Sequence, residues 1–246
     1  PEFGAVLKEG LIGFDENQDR ILELVMAQST SGGLTSLADY VSRMKEGQDA
    51  IYYMTAATQS AAERSPHLEA FRDKGYEVLF FTDAVDELWL RLDRQLKGKK
   101  LVSVAAAGVT LDASSSEAPR ADEWQGVLDK LRALLQDHVK DVRLSSRLKE
   151  SPACLVGEVG DLSPRMRELF NRSGQEMPVP KRTLEVNPGH PVIARVREIH
   201  AAGKDDPRLA LYADLLYGQA VLAQGGVLAD PAGFSRRLAE LMAASG

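Results

Sequence analysis

Three groupings of side chains in this sequence have types that could carry chemistry. Asp83, Asp86 and Glu87 crowd at the start of a helical stretch, where neighbouring carboxylates can trade protons. His67, His138, His190 and His200 are potential metal ligands, and Cys154 is a potential nucleophile. Spacing argues against each. Acidic residues in a first helical turn are accounted for by the partial positive charge of that end. The histidines form neither H-x-x-x-H nor H-E-x-x-H, and Cys154 has no second thiol. Cys154 lies in an apolar strand candidate, the setting of a buried structural cysteine. A nucleotide loop is equally absent: there is no G-x-x-x-x-G-K-[ST] and no G-x-G-x-x-G, and Gly157 with Gly160 specifies nothing. Arg143, Arg147 and Lys149 read as a solvated strand face rather than an anion site. No catalytic constellation emerges.

The elements that would position such groups are clearer. Residues 1–112 alternate helix and strand signals, predicting an α/β layer. Ile21–Met26 reads as helix until Ser31-Gly32-Gly33, and Ser36 three places before Asp39 predicts a capped helix running to about Lys45. Strands are predicted at 50–55, 76–81 and 100–104, and a helix over 83–96 with Val85, Leu88, Trp89, Leu92 and Leu96 on one face. The small, polar run 113–118 reads as a linker. Beyond it, 119–246 predicts an α+β domain: a helix from Trp124 to Leu135, strands at 141–148, 153–159 and 183–186, and three helices opened by Pro191, Pro207 and Pro231. The fold class is therefore a three-layer α/β subdomain followed by an α+β domain that ends in a helical hairpin.

Composition narrows the partners. The 246 residues carry 30 basic and 36 acidic side chains, a net charge of −6 that disfavours nucleic acid. One cysteine excludes a disulfide scaffold and points to a reducing, cytoplasmic setting. No apolar run approaches the ~18 residues of a membrane helix. The chain opens on Pro1 with no signal-peptide pattern, as a sequence cut from mid-protein would.

The strongest physical signal is Leu209–Ala223, where twelve of fifteen residues are apolar and Asp214 and Gly218 share one narrow stripe. A helix apolar nearly all round must be covered on several sides. With Phe234, Leu238, Leu241 and Met242 on the following helix, it can form half of a four-helix bundle between two chains. The alternative is a hairpin packed wholly inside its own domain. A short helix after Ser163-Pro164 places Met166, Leu169 and Phe170 on one face, either as core or as an adaptable, methionine-containing patch.

Several strings together resemble the ninety-kilodalton heat-shock protein family, in its bacterial branch. They include Phe3-Gly4-Ala5-Val6-Leu7-Lys8-Glu9-Gly10, Arg43-Met44-Lys45-Glu46-Gly47-Gln48, Ser65-Pro66-His67-Leu68-Glu69, Gly98-Lys99-Lys100-Leu101-Val102-Ser103-Val104 and Asn187-Pro188-Gly189-His190-Pro191. The resemblance implies a fragment: 1–112 the end of a middle domain, 119–246 a C-terminal dimerisation domain. It also implies an ATP-dependent chaperone as parent, with ATP, Mg and the catalytic arginine held upstream. These residues would then need no cofactor or metal and would not be an enzyme by themselves. Implied partners are a second copy, through Leu211, Tyr212, Leu215, Leu216, Leu222, Phe234, Leu238, Leu241 and Met242, and partly unfolded client proteins, through Met166, Leu169, Phe170, Leu88 and Trp89. In bacterial relatives a client-contacting tryptophan directly follows the Asp-Glu pair; here Leu88 holds that place and Trp89 comes next. The absence of an acidic tail after Gly246 fits the bacterial type. Two further readings are a small soluble α/β enzyme acting on a metabolite and a purely structural dimerisation module.

Overall fold

The computed structural model describes residues 4–13, 17–109, 111, 121–158, 161, 166, 170, 174 and 180–244. The fold is mixed α/β and divides into two compact units, Pro1–Ala106 with Val159–Val179, and Ala107–Glu158 with Pro180–Gly246. The predicted linker at 113–118 lies outside the described residues. The predicted second domain runs unbroken from 119 to 246, whereas Val159–Val179 groups with the first unit.

In the first unit, α1 (Gly4–Glu9) and α2 (Gln18–Leu24) precede a hairpin of β1 (Met26–Ser29) and β2 (Leu34–Ser36). The helix predicted through Met26 ends two residues earlier because Val25 turns extended, with φ −59° and ψ 126°. Gly32 and Gly33, at φ 91° and 76°, then reverse the chain. A run such as Val25-Met26-Ala27 suits either state, and pairing with β2 decides for the strand. The Ser36 hydroxyl accepts the Asp39 N–H at 3.0 Å and opens α3 (Leu37–Ser42), as the spacing predicts. Strand β3 (Ala50–Thr55) matches its predicted span. Helices α4 (Gln59–Glu63) and α5 (Glu69–Asp73) carry the crossover to β4 (Leu79–Phe81), parallel to β3.

The helix predicted over 83–96 shrinks to one turn, α6 (Asp86–Trp89). Beyond it, β5 (Gln95–Leu96) and β6 (Lys99–Ser103) pair through Lys97 and Gly98, at φ 51° and 75°. Two positive φ values make the tight turn that matches the twist of its strands, so the chain cannot stay helical there. The sheet runs β2-β1-β4-β3-β6-β5. Ile51, Tyr52 and Met54 are all buried, as a strand covered on both faces must be. Ile51 packs with Leu37, Tyr40, Leu79, Phe81 and Trp89. Tyr52, pointing the other way, meets the Phe71 ring of α5 edge-on at 4.8 Å.

In the second unit, α7 (Ala121–Leu134), β7 (Val139–Leu144), β8 (Ala153–Val156) and β9 (Arg182–Val186) are followed by α8 (Pro191–Ala202), α9 (Arg208–Ala223) and α10 (Pro231–Ala244). Prolines open the last three as predicted, Pro191 and Pro231 as first residues and Pro207 as the cap of α9. His190 caps α8, its Nδ1 accepting the Val192 N–H at 3.2 Å. The sheet order is β7-β9-β8, with β9 parallel to β7 and antiparallel to β8. Leu155 and Leu184 face a core built with Trp124, Leu131, Ile193, Leu216 and Ala220. Cys154 and Val156 point to the opposite face, against Leu148. The cysteine is fully buried.

The predicted solvated arginine face needs correction. Arg147 is buried, and with Arg143 it pairs with the buried carboxylate of Glu185, at 3.1 and 2.8 Å. Ser145 donates to the same carboxylate at 3.0 Å. Parallel pairing brings Glu185 opposite Arg143, a neighbour that alternation along one strand does not reveal.

Candidate functional site

Two regions hold most of the described residues that the sequence nominates. The first is the hairpin of α9 and α10. One side of α9, formed by Leu209, Ala213, Leu216 and Ala220, belongs to the unit's own core, and Tyr212 packs against that core. Within the single chain Leu216 is buried in that core and Tyr212 is partly buried against it. The four residues of that side recur at i, i+4, i+7 and i+11, and helix α7 and the sheet cover the stripe they form.

The polar stripe of α9 receives α10. Asp214 pairs with Arg237 at 3.1 Å. At Gly218 the Phe234 ring comes so close that an added Cβ would lie 2.6 Å from it. Asp230 caps α10 through the Gly233 N–H at 2.8 Å. What interrupts the apolar sequence of α9 is thus the seat of its hairpin partner. Gly218→Ala is expected to destabilise the second unit by about 1–3 kcal/mol, the range for overpacking. Phe234→Leu in the same chain should recover part of that loss in urea unfolding; equal stability of Gly218→Ala and the unaltered chain would contradict the close packing.

Apolar surface remains outside. Leu222 is 48% exposed, Leu238 42% and Met242 70%. Leu238 and Met242 stand four apart on one face of α10. Leu211, Phe234 and Leu241 are partly buried, and Leu215 is buried although it lies outside the main core cluster.

The second region surrounds α6. Leu88 is 40% exposed, while its neighbour Trp89 is fully buried among Leu37, Tyr40 and Phe81. The tryptophan nominated for contact is therefore a core side chain, and its exposed neighbour is a leucine. The Trp89 ring meets Phe81 edge-on at 5.3 Å, and its Nε1–H donates to Asp86 at 3.0 Å. Asp86 is fully buried and also accepts the Asp83 N–H, at 3.0 Å. Lys8, itself buried, reaches Asp86 and Asp83 at 2.8 Å each. Burial raises the Asp86 pKa above the ordinary carboxylate value, with Lys8 and the other donors opposing that rise only in part. Asp83 and Asp86 thus share one buried ammonium, that of Lys8. Lys8 has no sequence signal, because its partner lies 78 residues away.

Met166 is helical and buried, and Phe170 is helical and half-buried. Leu169 and Ser163-Pro164 lie outside the described residues. Among those described, no cluster of His, Cys, Asp and Glu could hold a metal. The histidines are dispersed: His138 stacks on Tyr217, His190 caps α8, His67 is buried, and His200 lies against Gly126. No described helix is long and apolar enough to cross a membrane.

The family model described as Hsp90 protein matches residues 1–245. The chain belongs to the Hsp90 family. Among its curated Hsp90 relatives, the chaperone protein HtpG of Frankia casuarinae is 48% identical over 251 residues, covering 98% of this chain and 39% of that protein. HtpG of Mycobacterium avium is 47% identical, with the same coverage, and HtpG of Mycobacterium leprae is 44% identical over 256 residues. The chain spans 39% of the length of these Hsp90 proteins.

Proposed function

We propose that these residues are the dimerising, client-binding part of an ATP-dependent cytoplasmic chaperone. Residues 1–112 are read as the end of its middle domain and 119–246 as its C-terminal domain. The observation that carries the reading is the 48% identity to a chaperone protein HtpG across 98% of the chain. The exposed leucines and methionine of the hairpin support a second copy as the partner of α9 and α10. Exposed Leu88, with Phe170, supports contact with the apolar surface of partly unfolded proteins. Nucleotide and Mg are assigned to parts of the family outside these residues, so that this stretch contributes shape and adhesion rather than hydrolysis.

Two measurements test the proposal. Sedimentation equilibrium at micromolar concentration should give twice the 26.8 kDa chain mass; a single-chain mass throughout would refute the dimer. Leu88→Ser with Phe170→Ser should reduce suppression of a client's aggregation while leaving the sedimenting mass unchanged. Full suppression by that variant would leave a purely structural dimerisation module as the better account. Met166 is a poorer probe, because its burial makes a serine there a packing defect as well.

A further inference from the structure

Helix α6 is a single turn of four residues, too short to hold its own orientation in water. Consecutive helical residues point about 100° apart, so the rotation of α6 sets how far Leu88 and Trp89 are each exposed. External anchors set that rotation. Apolar packing of Trp89 against Leu37, Tyr40 and Phe81 is one anchor, and a polar set is the other. The buried Asp86 carboxylate accepts from Trp89 Nε1 at 3.0 Å and from the Asp83 N–H at 3.0 Å, and pairs with Lys8 at 2.8 Å. Lys8 arrives from α1, and its ammonium also lies 5.4 Å from the centroid of Phe81, the ring that meets Trp89 edge-on.

We infer that Lys8 and Asp86 are positioning residues of the candidate client contact. They clamp α6 in the one rotation that buries Trp89 and presents Leu88. The inference rests on the client reading proposed above. Its energetic logic is that of a buried ion pair, which fixes geometry better than it stabilises. Burial raises the Asp86 pKa despite Lys8, so the attraction does not fully offset desolvation. An apolar pair could fill the same space but would leave the indole N–H unpaired, so the rotation would rest on the packing of the ring alone. The charged groups beside the clamp are Asp83, half-exposed and bound to Lys8, and the buried Glu87.

The test uses the whole chain labelled with 5-fluorotryptophan, whose two fluorine signals are assigned with Trp124→Phe. Lys8→Met should shift the Trp89 signal toward that of a solvent-exposed indole and reduce the aggregation suppression. Lys8→Arg should keep both. Leu88→Ser should reduce suppression while the Trp89 signal stays in place. A loss with Leu88→Ser but none with Lys8→Met, and an unmoved Trp89 signal, would overturn the positioning role and leave the client reading standing. Full suppression by Leu88→Ser would instead overturn the client contact at this residue, and the positioning role with it. Should Lys8→Met not fold, hydrogen exchange on the unaltered chain decides. The Trp89 Nε1–H and Leu90 amide should exchange together with the Leu11 amide that follows α1, and independent exchange would refute the clamp.

Discussion

Glu185→Ala is expected to lower the stability of the second unit by about 3–5 kcal/mol, the range for stripping one partner from a buried ion pair. The carboxylate is buried and accepts from Arg143, Arg147 and Ser145. Arg143 is 43% exposed at its side chain and can return to water, but Arg147 is 6% exposed and cannot. Removal of Glu185 therefore leaves the Arg147 guanidinium in low dielectric without its carboxylate counter-charge, and that uncompensated charge is the source of the loss. Arg147→Met with Glu185→Met should be far milder than the single change, because it removes the charge together with its partner. Urea unfolding followed through Trp124, which sits in the same unit, measures both. A Glu185→Ala loss no greater than the ~1 kcal/mol of an exposed pair would show that water reaches the network.

The second large effect separates fold from association. Leu216→Ala should cost the second unit about 2–5 kcal/mol, because Leu216 is buried in the core with Trp124, Leu131 and Ile193. The chains that remain folded should still associate as before. Leu238→Asp with Met242→Asp should do the opposite, since both side chains are exposed on α10 within one chain. Charge there leaves the isolated unit nearly as stable but opposes burial of that face against a second copy. Sedimentation equilibrium paired with chemical unfolding reads the two quantities separately, and the unfolding midpoint of the unaltered chain should rise with protein concentration. A dimer of Leu238→Asp, Met242→Asp chains with unchanged affinity would move the interface away from α10.

Particular residues show why some of the structure is legible in sequence. The Ser36 cap, the strand 50–55, the proline-opened helices and the buried Cys154 each depend on a residue and its near neighbours. The apolar excess of Leu209–Ala223 is equally local, and it announces that more than one side of the helix needs covering. Its polar stripe is visible too, but the partner of that stripe is not: Arg237 and Phe234 reach Asp214 and Gly218 only when the hairpin closes. The overextended helices at 21–26 and 83–96 failed for a related reason. An apolar run is compatible with either state until a strand elsewhere pairs with it, and β2 and β6 supply those pairings.

The sequence by itself determined the family, the elements set by local pattern, the lack of a recognisable catalytic motif and the presence of surplus apolar surface. Only the tertiary structure decided which apolar residues are surplus. It turned Leu216 and Trp89 inward and left Leu88, Leu238 and Met242 outside. It also joined Lys8 to Asp86 and Arg147 to Glu185. Hydrophobicity is a property of a residue and can be read one position at a time. Burial and charge pairing belong to pairs of distant residues, and they acquire a value only when the chain has closed around them.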